Sequence, residues 1–132
     1  MRASAIIVKK NKILLIHRFK KGKEYWVFPG GNIEEGEKKI EAIKREVLEE
    51  TSLAVTSCRY SFDYKDEDGE CNPVFTCEVE GGEPRLAEGA PEAEAATDTN
   101  WYKPEWIDIE GSLKLKIYPE EGIRVIRSLL RK

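Results

Sequence analysis

The sequence predicts an α/β fold, an α/β/α sandwich on a mixed sheet, and three observations carry that expectation. Apolar segments of strand length fill the first 28 residues and return between Ala54 and Val79. From Lys38 to Thr51 there is neither Gly nor Pro, and good helix formers dominate. The chain then approaches its end on an amphipathic stretch holding Ile123, Ile126, Leu129 and Leu130.

Taken in order, Ala3 to Val8 reads as a strand, Lys9-Lys10-Asn11-Lys12 as a turn and Ile13 to Phe19 as a second strand, so a hairpin opens the fold. A basic loop with Lys20, Lys21 and Lys23 leads to a short strand, Tyr25 to Phe28, which runs into Pro29-Gly30-Gly31. After the helix, Ala54 to Tyr64 and Asn72 to Val79 form two strands joined by the polar turn Asp66-Glu67-Asp68-Gly69. Residues 80–100, rich in Gly, Pro, Ala and Glu, are expected to form a long mobile loop around a short strand. Trp101 to Lys103 returns to the sheet, Pro104 to Ile109 makes a short helix, and Pro119 starts the last one. No internal repeat is evident, and the whole of 1–132 is expected to be one domain.

The central helix carries the chemistry. Ile40, Ile43 and Val47 fall at i, i+3 and i+7 and make an apolar stripe, while Glu46, Glu49 and Glu50, at i, i+3 and i+4, gather on another face. Like charges at that spacing cost an isolated helix roughly 0.2 to 0.5 kcal/mol per pair, so the cluster calls for a counter-charge. Arg45 relieves part of it. Hard oxygen ligands of this kind favour Mg²⁺ or Mn²⁺ over zinc. With one His and three Cys that show no paired spacing, zinc chemistry is disfavoured.

The run from Gly31 to Leu53 resembles the Nudix box, whose pattern is G, five residues, E, seven residues, then R-E-U-x-E-E-x-G-U with U aliphatic. Gly31, Glu37, Arg45, Glu46, Val47, Glu49, Glu50 and Leu53 match, and Trp26-Val27-Phe28-Pro29-Gly30 resembles the usual lead-in. Ser52 departs, standing where the pattern has glycine. A glycine just past a helix end suits a left-handed conformation that serine adopts less easily, so the helix exit is the feature in question.

The resemblance implies the fold already expected, and an enzyme that hydrolyses a diphosphate linkage in a nucleoside di- or triphosphate derivative. It implies that Glu46, Glu49 and Glu50 hold the metal, with the main-chain carbonyl of Gly30, and that Glu37 and Arg45 are supports, with a salt bridge from Arg45 to Glu37 or Glu49 fixing the carboxylates. Glu46 is the first choice for taking the proton from water, with Glu92 and Glu94 in the later loop as alternatives. Arg18, where the second strand meets the basic loop, suits a phosphate clamp. Tyr25, Phe62, Tyr64, Trp101 and Tyr102 offer faces for a base, and Asn100 an amide for a base edge. His17 reads as a packing or surface residue.

Substrate choice is less defined. The Pro and Tyr markers that the family places after the box in ADP-ribose pyrophosphatases and diadenosine polyphosphate hydrolases are absent from Asp68-Gly69-Glu70-Cys71, although Pro73 is near. A nucleoside triphosphate or diphosphate derivative is favoured, with removal of an oxidised nucleotide as one role. Dinucleoside polyphosphate, ADP-ribose or nucleotide-sugar cleavage is the alternative within the class. A catalytically silent nucleotide-binding module is the alternative outside it.

Composition narrows the partners. A net charge of −3, a pI near 5.4 and no basic tract beyond Lys20 to Lys23 disfavour a large nucleic acid, including a capped messenger RNA. No stretch is long and apolar enough to suggest a membrane span or signal peptide, and three cysteines fit a reducing cytoplasm. A homodimer is compatible with the apolar faces of the opening hairpin and the last helix.

Overall fold

A computed structural model of the protein describes residues 1–84 and 100–130; Glu92 and Glu94 lie outside the described residues. The strands are β1 Arg2–Lys9, β2 Lys12–Lys20, β3 Lys23–Val27, β4 Gly30–Asn32, β5 Ala54–Lys65, β6 Cys71–Glu80, β7 Asn100–Asp108 and β8 Ile117–Tyr118. The helices are α1 Lys39–Thr51, the short α2 Ile109–Ser112 and α3 Gly122–Leu130. All strands join one mixed sheet of order β5-β6-β1-β2-β3-β8, with β4 on β1 and β7 on β2.

The central strands are apolar almost without interruption because both faces of the sheet are covered. Ala3, Ala5 and Ile7 of β1, Leu14 of β2, and Phe75 and Cys77 of β6 pack with Ile43 and Val47 of α1. Their neighbours Ile6, Ile13, Leu15 and Val74 point the other way, against Ile109 of α2 and Ile126 of α3. The period-2 alternation of β-strands thus makes two cores and the expected α/β/α sandwich.

The opening hairpin separates after two pairs, Val8 with Ile13 and Lys9 with Lys12. This lets the other end of β1 take β4, with Ala3 opposite Gly31 and Ser4 opposite Gly30, while Ser4 to Ile7 also run parallel to β6. The glycine pair is therefore part of a short strand anchored to the central one.

Two local expectations need correction. Pro104 to Ile109 is not a helix: β7 runs antiparallel along the full length of β2, with Pro104 opposite Ile16, and helix begins only at Ile109. Proline lacks one ladder donor but is accepted where a strand pairs on one side alone, and β2 is the only strand paired to β7 among the described residues. Ile40 does not join the buried stripe; with Lys39 and Glu41 it is exposed, so the first turn of α1 stands clear of the core. The buried set on α1 is Ala42, Ile43, Val47, Glu50 and Thr51.

The exit of α1 keeps the geometry a glycine would give. Ser52 sits at φ 62°, ψ 13°, and its N–H donates to the Leu48 carbonyl at 2.9 Å. A non-glycine residue in that region carries strain of about 1 kcal/mol or more. Ser52→Gly is accordingly expected to stabilise the fold by about 0.5 to 1 kcal/mol, read as a higher urea midpoint at unchanged m-value; an unchanged or lowered midpoint would refute the strain.

Candidate active site

The site begins where α1 meets β4. At Gly30 φ is +152°, and a Cβ there would stand 2.1 Å from the Ala3 carbonyl oxygen, so only glycine lets β4 lie against β1. At Gly31 a Cβ would stand 2.4 Å from the Glu46 carboxyl carbon, so the missing side chain is the cradle in which that carboxylate rests. The Gly30 N–H donates to Glu50 Oε1 at 2.8 Å.

Glu50 is only 3% exposed. It belongs to the face that carries Ile43 and Val47, and so corrects the expectation that all three glutamates share a separate acidic side. A carboxylate buried to this degree needs hydrogen bonding to offset its lost hydration, and the backbone donor contributes.

Arg45 ties the loop to the helix. Its Nε donates to Glu37 Oε2 at 2.8 Å and its Nη2 to Glu37 Oε1 at 3.0 Å, a bidentate pair. Nη2 also donates to the Asn32 carbonyl at 3.0 Å, and Nη1 to Glu46 Oε1 at 2.7 Å. Glu34 and Glu49 stand farther off, at 3.7 and 3.8 Å from Nη1. Glu37 returns to the loop, its Oε1 accepting from the Glu34 N–H at 3.0 Å. The Arg45 hydrogen bonds, with that backbone donor, hold the Glu37 carboxyl at about 2, and the Arg45 guanidinium is pushed up in turn.

A cleft of about 840 Å³ opens beside this junction, lined by Gly30, Gly31, Glu46 and Glu50 together with Arg18, Tyr25, Tyr64, Tyr102 and Tyr118. Arg18 is 7% exposed: Nε donates to the Tyr25 hydroxyl at 2.8 Å, Nη2 to Asn100 Oδ1 at 3.4 Å, and the guanidinium lies 3.8 Å over the Tyr102 ring. Its buried Nη1 finds no hydrogen-bond partner among the described residues. A guanidinium fixed on an aromatic face with a donor to spare is suited to an anionic or carbonyl oxygen entering the cleft.

Most of the expected residues therefore meet. Glu46, Glu50, Gly30, Arg18 and Tyr64 line one cleft, while Arg45 and Glu37 brace it from behind. Asn100 positions Arg18 and is not itself part of the lining. The Glu49 side chain, 35% exposed, likewise stands outside the lining. Of the aromatic candidates, Trp101 packs beside His17 and Phe19, and Phe62 against the core.

Among the described residues no group of three or more His, Cys, Asp or Glu side chains is arranged to hold a metal ion. The donor set nonetheless fits Mg²⁺, which is commonly held by one or two carboxylates, with waters and substrate phosphates completing its shell. Glu46 and Glu50 at the glycine cradle supply that pair.

Sequence reasoning missed Arg2, Lys65, Asp66, Tyr118 and Glu120, all of which line the cleft. Arg2 and the β5–β6 turn are joined by Asn72, whose Oδ1 accepts from the Arg2 N–H at 2.7 Å while its Nδ2 donates to Asp66 Oδ2 at 3.1 Å. No periodic or local signal marks these residues, because long-range pairing brings them together.

The NUDIX domain model matches residues 1–123. A Methanocaldococcus jannaschii protein named ADP-ribose pyrophosphatase is 43% identical over 95 residues, covering 67% of this chain and 56% of its own. A Buchnera aphidicola protein named 8-oxo-dGTP diphosphatase is 40% identical over 57 residues, covering 42% of this chain and 44% of its own. The chain thus spans about half the length of the curated relatives it matches. Among solved structures, MutT from Aliivibrio salmonicida and Vibrio cholerae superposes with a TM-score of 0.70 at 20% identity, covering 99% of this chain and 95% of that one, which establishes the fold.

The Glu37–Arg45 pair gives an acid-side signature. Glu37 titrates near 2 when folded against an ordinary 4.5. A depressed folded value contributes stability that is complete above the unfolded value and lost as pH falls through the folded one. Stability is therefore expected to fall between about pH 4.5 and pH 2, and Glu37→Gln to be less stable at neutral pH yet flatter across that window. Urea midpoints measured against pH would show this; parallel profiles for the two proteins would contradict it.

Proposed function

The chain belongs to the NUDIX domain family, and from that premise we propose that it is a divalent-metal-dependent hydrolase of a diphosphate linkage in a nucleoside diphosphate derivative. The observation that carries this reading is the shared cleft: Glu46 and Glu50 beside a glycine cradle, with Arg18 buried among tyrosines in the same lining.

A divalent cation, Mg²⁺ or Mn²⁺ by the hardness of these donors, neutralises phosphate charge and lowers the pKa of bound water when present. The side chains prepare for it. Glu46 and Glu50 supply carboxylate oxygens, and the Gly30 backbone fixes Glu50. Arg45 orients Glu46, and Glu37 holds Arg45 in a bidentate pair. Glu46 is also the first choice for accepting the proton of the attacking water. Glu49, outside the cleft lining and 3.8 Å from Arg45, is the third carboxylate of the box and adds negative charge nearby.

Arg18 offers Nη1 to a substrate oxygen. Tyr25, Tyr64, Tyr102 and Tyr118 present rings or hydroxyls along the cleft, and Tyr64 and Tyr102 are the candidates for stacking a base. Asn100 keeps Arg18 in place. The names of the two relatives support two substrate readings: an oxidised nucleoside triphosphate, which the absent sequence markers also favour, and ADP-ribose, supported by the longer match. By its three free cysteines we place the protein in a reducing compartment such as the cytoplasm.

The test is product chromatography on 8-oxo-dGTP, dGTP, ADP-ribose, a dinucleoside polyphosphate and a nucleotide sugar, with Mg²⁺, Mn²⁺ or chelator. A nucleoside monophosphate or ribose phosphate should appear only with metal, and Glu50→Gln should lower kcat/KM by about 100-fold. Full activity in that variant, or no turnover of any compound, would overturn the reading; binding without turnover would leave a nucleotide-binding module. Arg18→Ala should raise KM by roughly 10-fold or more, as expected for losing a hydrogen bond from a charged group. Arg18→Lys should not restore it, since the ring-stacked fork is what positions the donor.

A further inference from the structure

Away from the cleft, Cys58 of β5 and Cys77 of β6 occupy directly opposed register positions, and the Cys77 thiol donates to Cys58 Sγ across 3.2 Å. Opposed residues of an antiparallel pair have Cα atoms about 4.5 to 5.5 Å apart, within the roughly 4.4 to 6.8 Å that a disulfide spans. From 3.2 Å, the sulfurs need approach by only about 1.2 Å to reach bonding distance.

The surroundings permit that closure. Register shifts lie on both sides of the pair, between Val55 and Ser57 and between Tyr60 and Phe62. Such irregularities loosen and twist a ladder locally. β5 is also an edge strand, paired only to β6 among the described residues. Cys58 is partly exposed and Cys77 is buried. Burial, with the contact to Cys58, pushes the Cys77 thiol up, so the partly exposed sulfur is the one to meet an external reagent first.

We propose that Cys58 and Cys77 form a redox modification site, a reversible cross-strand disulfide made by exchange with a low-molecular-weight disulfide of the glutathione class. Cys58, as thiolate, attacks one sulfur of the reagent; the reagent's S–S bond breaks, and one small thiolate leaves and takes up a proton. Cys77 gives up its proton and attacks Cys58 Sγ, and the mixed disulfide breaks to release the second small thiol. Two protein thiols are oxidised by two electrons, and one reagent disulfide becomes two thiols.

The bond would enclose the turn of the β5–β6 ribbon, whose residues Tyr64, Lys65, Asp66 and Glu67 line the cleft. Oxidation therefore staples one cleft wall. The site stands independently of the proposed hydrolysis, and its test does not require activity.

The folded full-length chain is incubated with reduced and oxidised glutathione at several ratios, quenched with acid, and examined by intact mass and non-reducing peptide mapping. Expected is a species lighter by two hydrogens with the Cys58 and Cys77 peptides joined, reversed by dithiothreitol, and melting higher by roughly 5 to 10 °C. Cys71→Ser should keep the cross-link, because Cys71 lies opposite Lys65 with no cysteine facing it. Cys58→Ser should abolish it. Stable glutathione adducts without a Cys58–Cys77 link, or a link formed only once urea unfolds the chain, would overturn the proposal.

Discussion

One guanidinium holds loop and helix together. Arg45 grips Glu37 with two parallel hydrogen bonds, reaches the Asn32 carbonyl, and still contacts Glu46. These groups come from β4, the turn after it and α1. A lysine could satisfy one of them as a point charge, but only a planar fork with several donors can bridge all three. The strength of the arrangement comes from its bidentate geometry and partial burial, which solvated ion pairs lack.

That brace allows α1 to serve two purposes at once. Its stripe of Ile43, Val47 and Glu50 follows i, i+4, i+7, so the face that closes one core ends in a carboxylate rather than in another apolar residue. Burying Glu50 would destabilise the fold if it stood alone. The strand that brings Gly30 beside it supplies a backbone donor, and only a glycine can lie there, because Ala3 leaves no room for a Cβ. The packing of β4 on β1 and the electrostatics of the helix are therefore one constraint, seen from two sides.

How much of this was legible in the sequence follows from how local each signal is. The box residues sit within one loop and one helix, so their match to the family pattern singled out Glu37, Arg45 and Glu46, and the Asp-Gly turn announced the β5–β6 hairpin. The burial of Glu50 was also legible from its spacing to Ile43 and Val47, but its charge assigned it to the wrong face. Only the first part of β7, Trp101 to Lys103, was legible, because Pro104 resembles a helix start, whereas pairing with β2 over nine positions overrides that local preference. Arg2, Lys65 and Tyr118 had no local signal at all; they reach the cleft through pairings with distant strands.

The strand alternation that divides the cores continues beyond them into polar territory. On β2, β3 and β7, Arg18, Tyr25 and Tyr102 face the cleft, and their sequence neighbours His17, Trp26 and Trp101 meet on the opposite side. There His17 stacks on Trp26 at 4.3 Å and meets the edge of Trp101 at 4.8 Å, while its two ring nitrogens lie 2.8 and 3.1 Å from Glu24 and Glu105. Each residue that presents Arg18 to the cleft is thus adjacent in the chain to one anchored behind the sheet. A guanidinium stacked on a tyrosine keeps its aim only if the strands beneath it do not slide, and the aromatic cluster on the far face supplies contacts that resist sliding. Precision on the cleft side of the sheet rests on packing on the other.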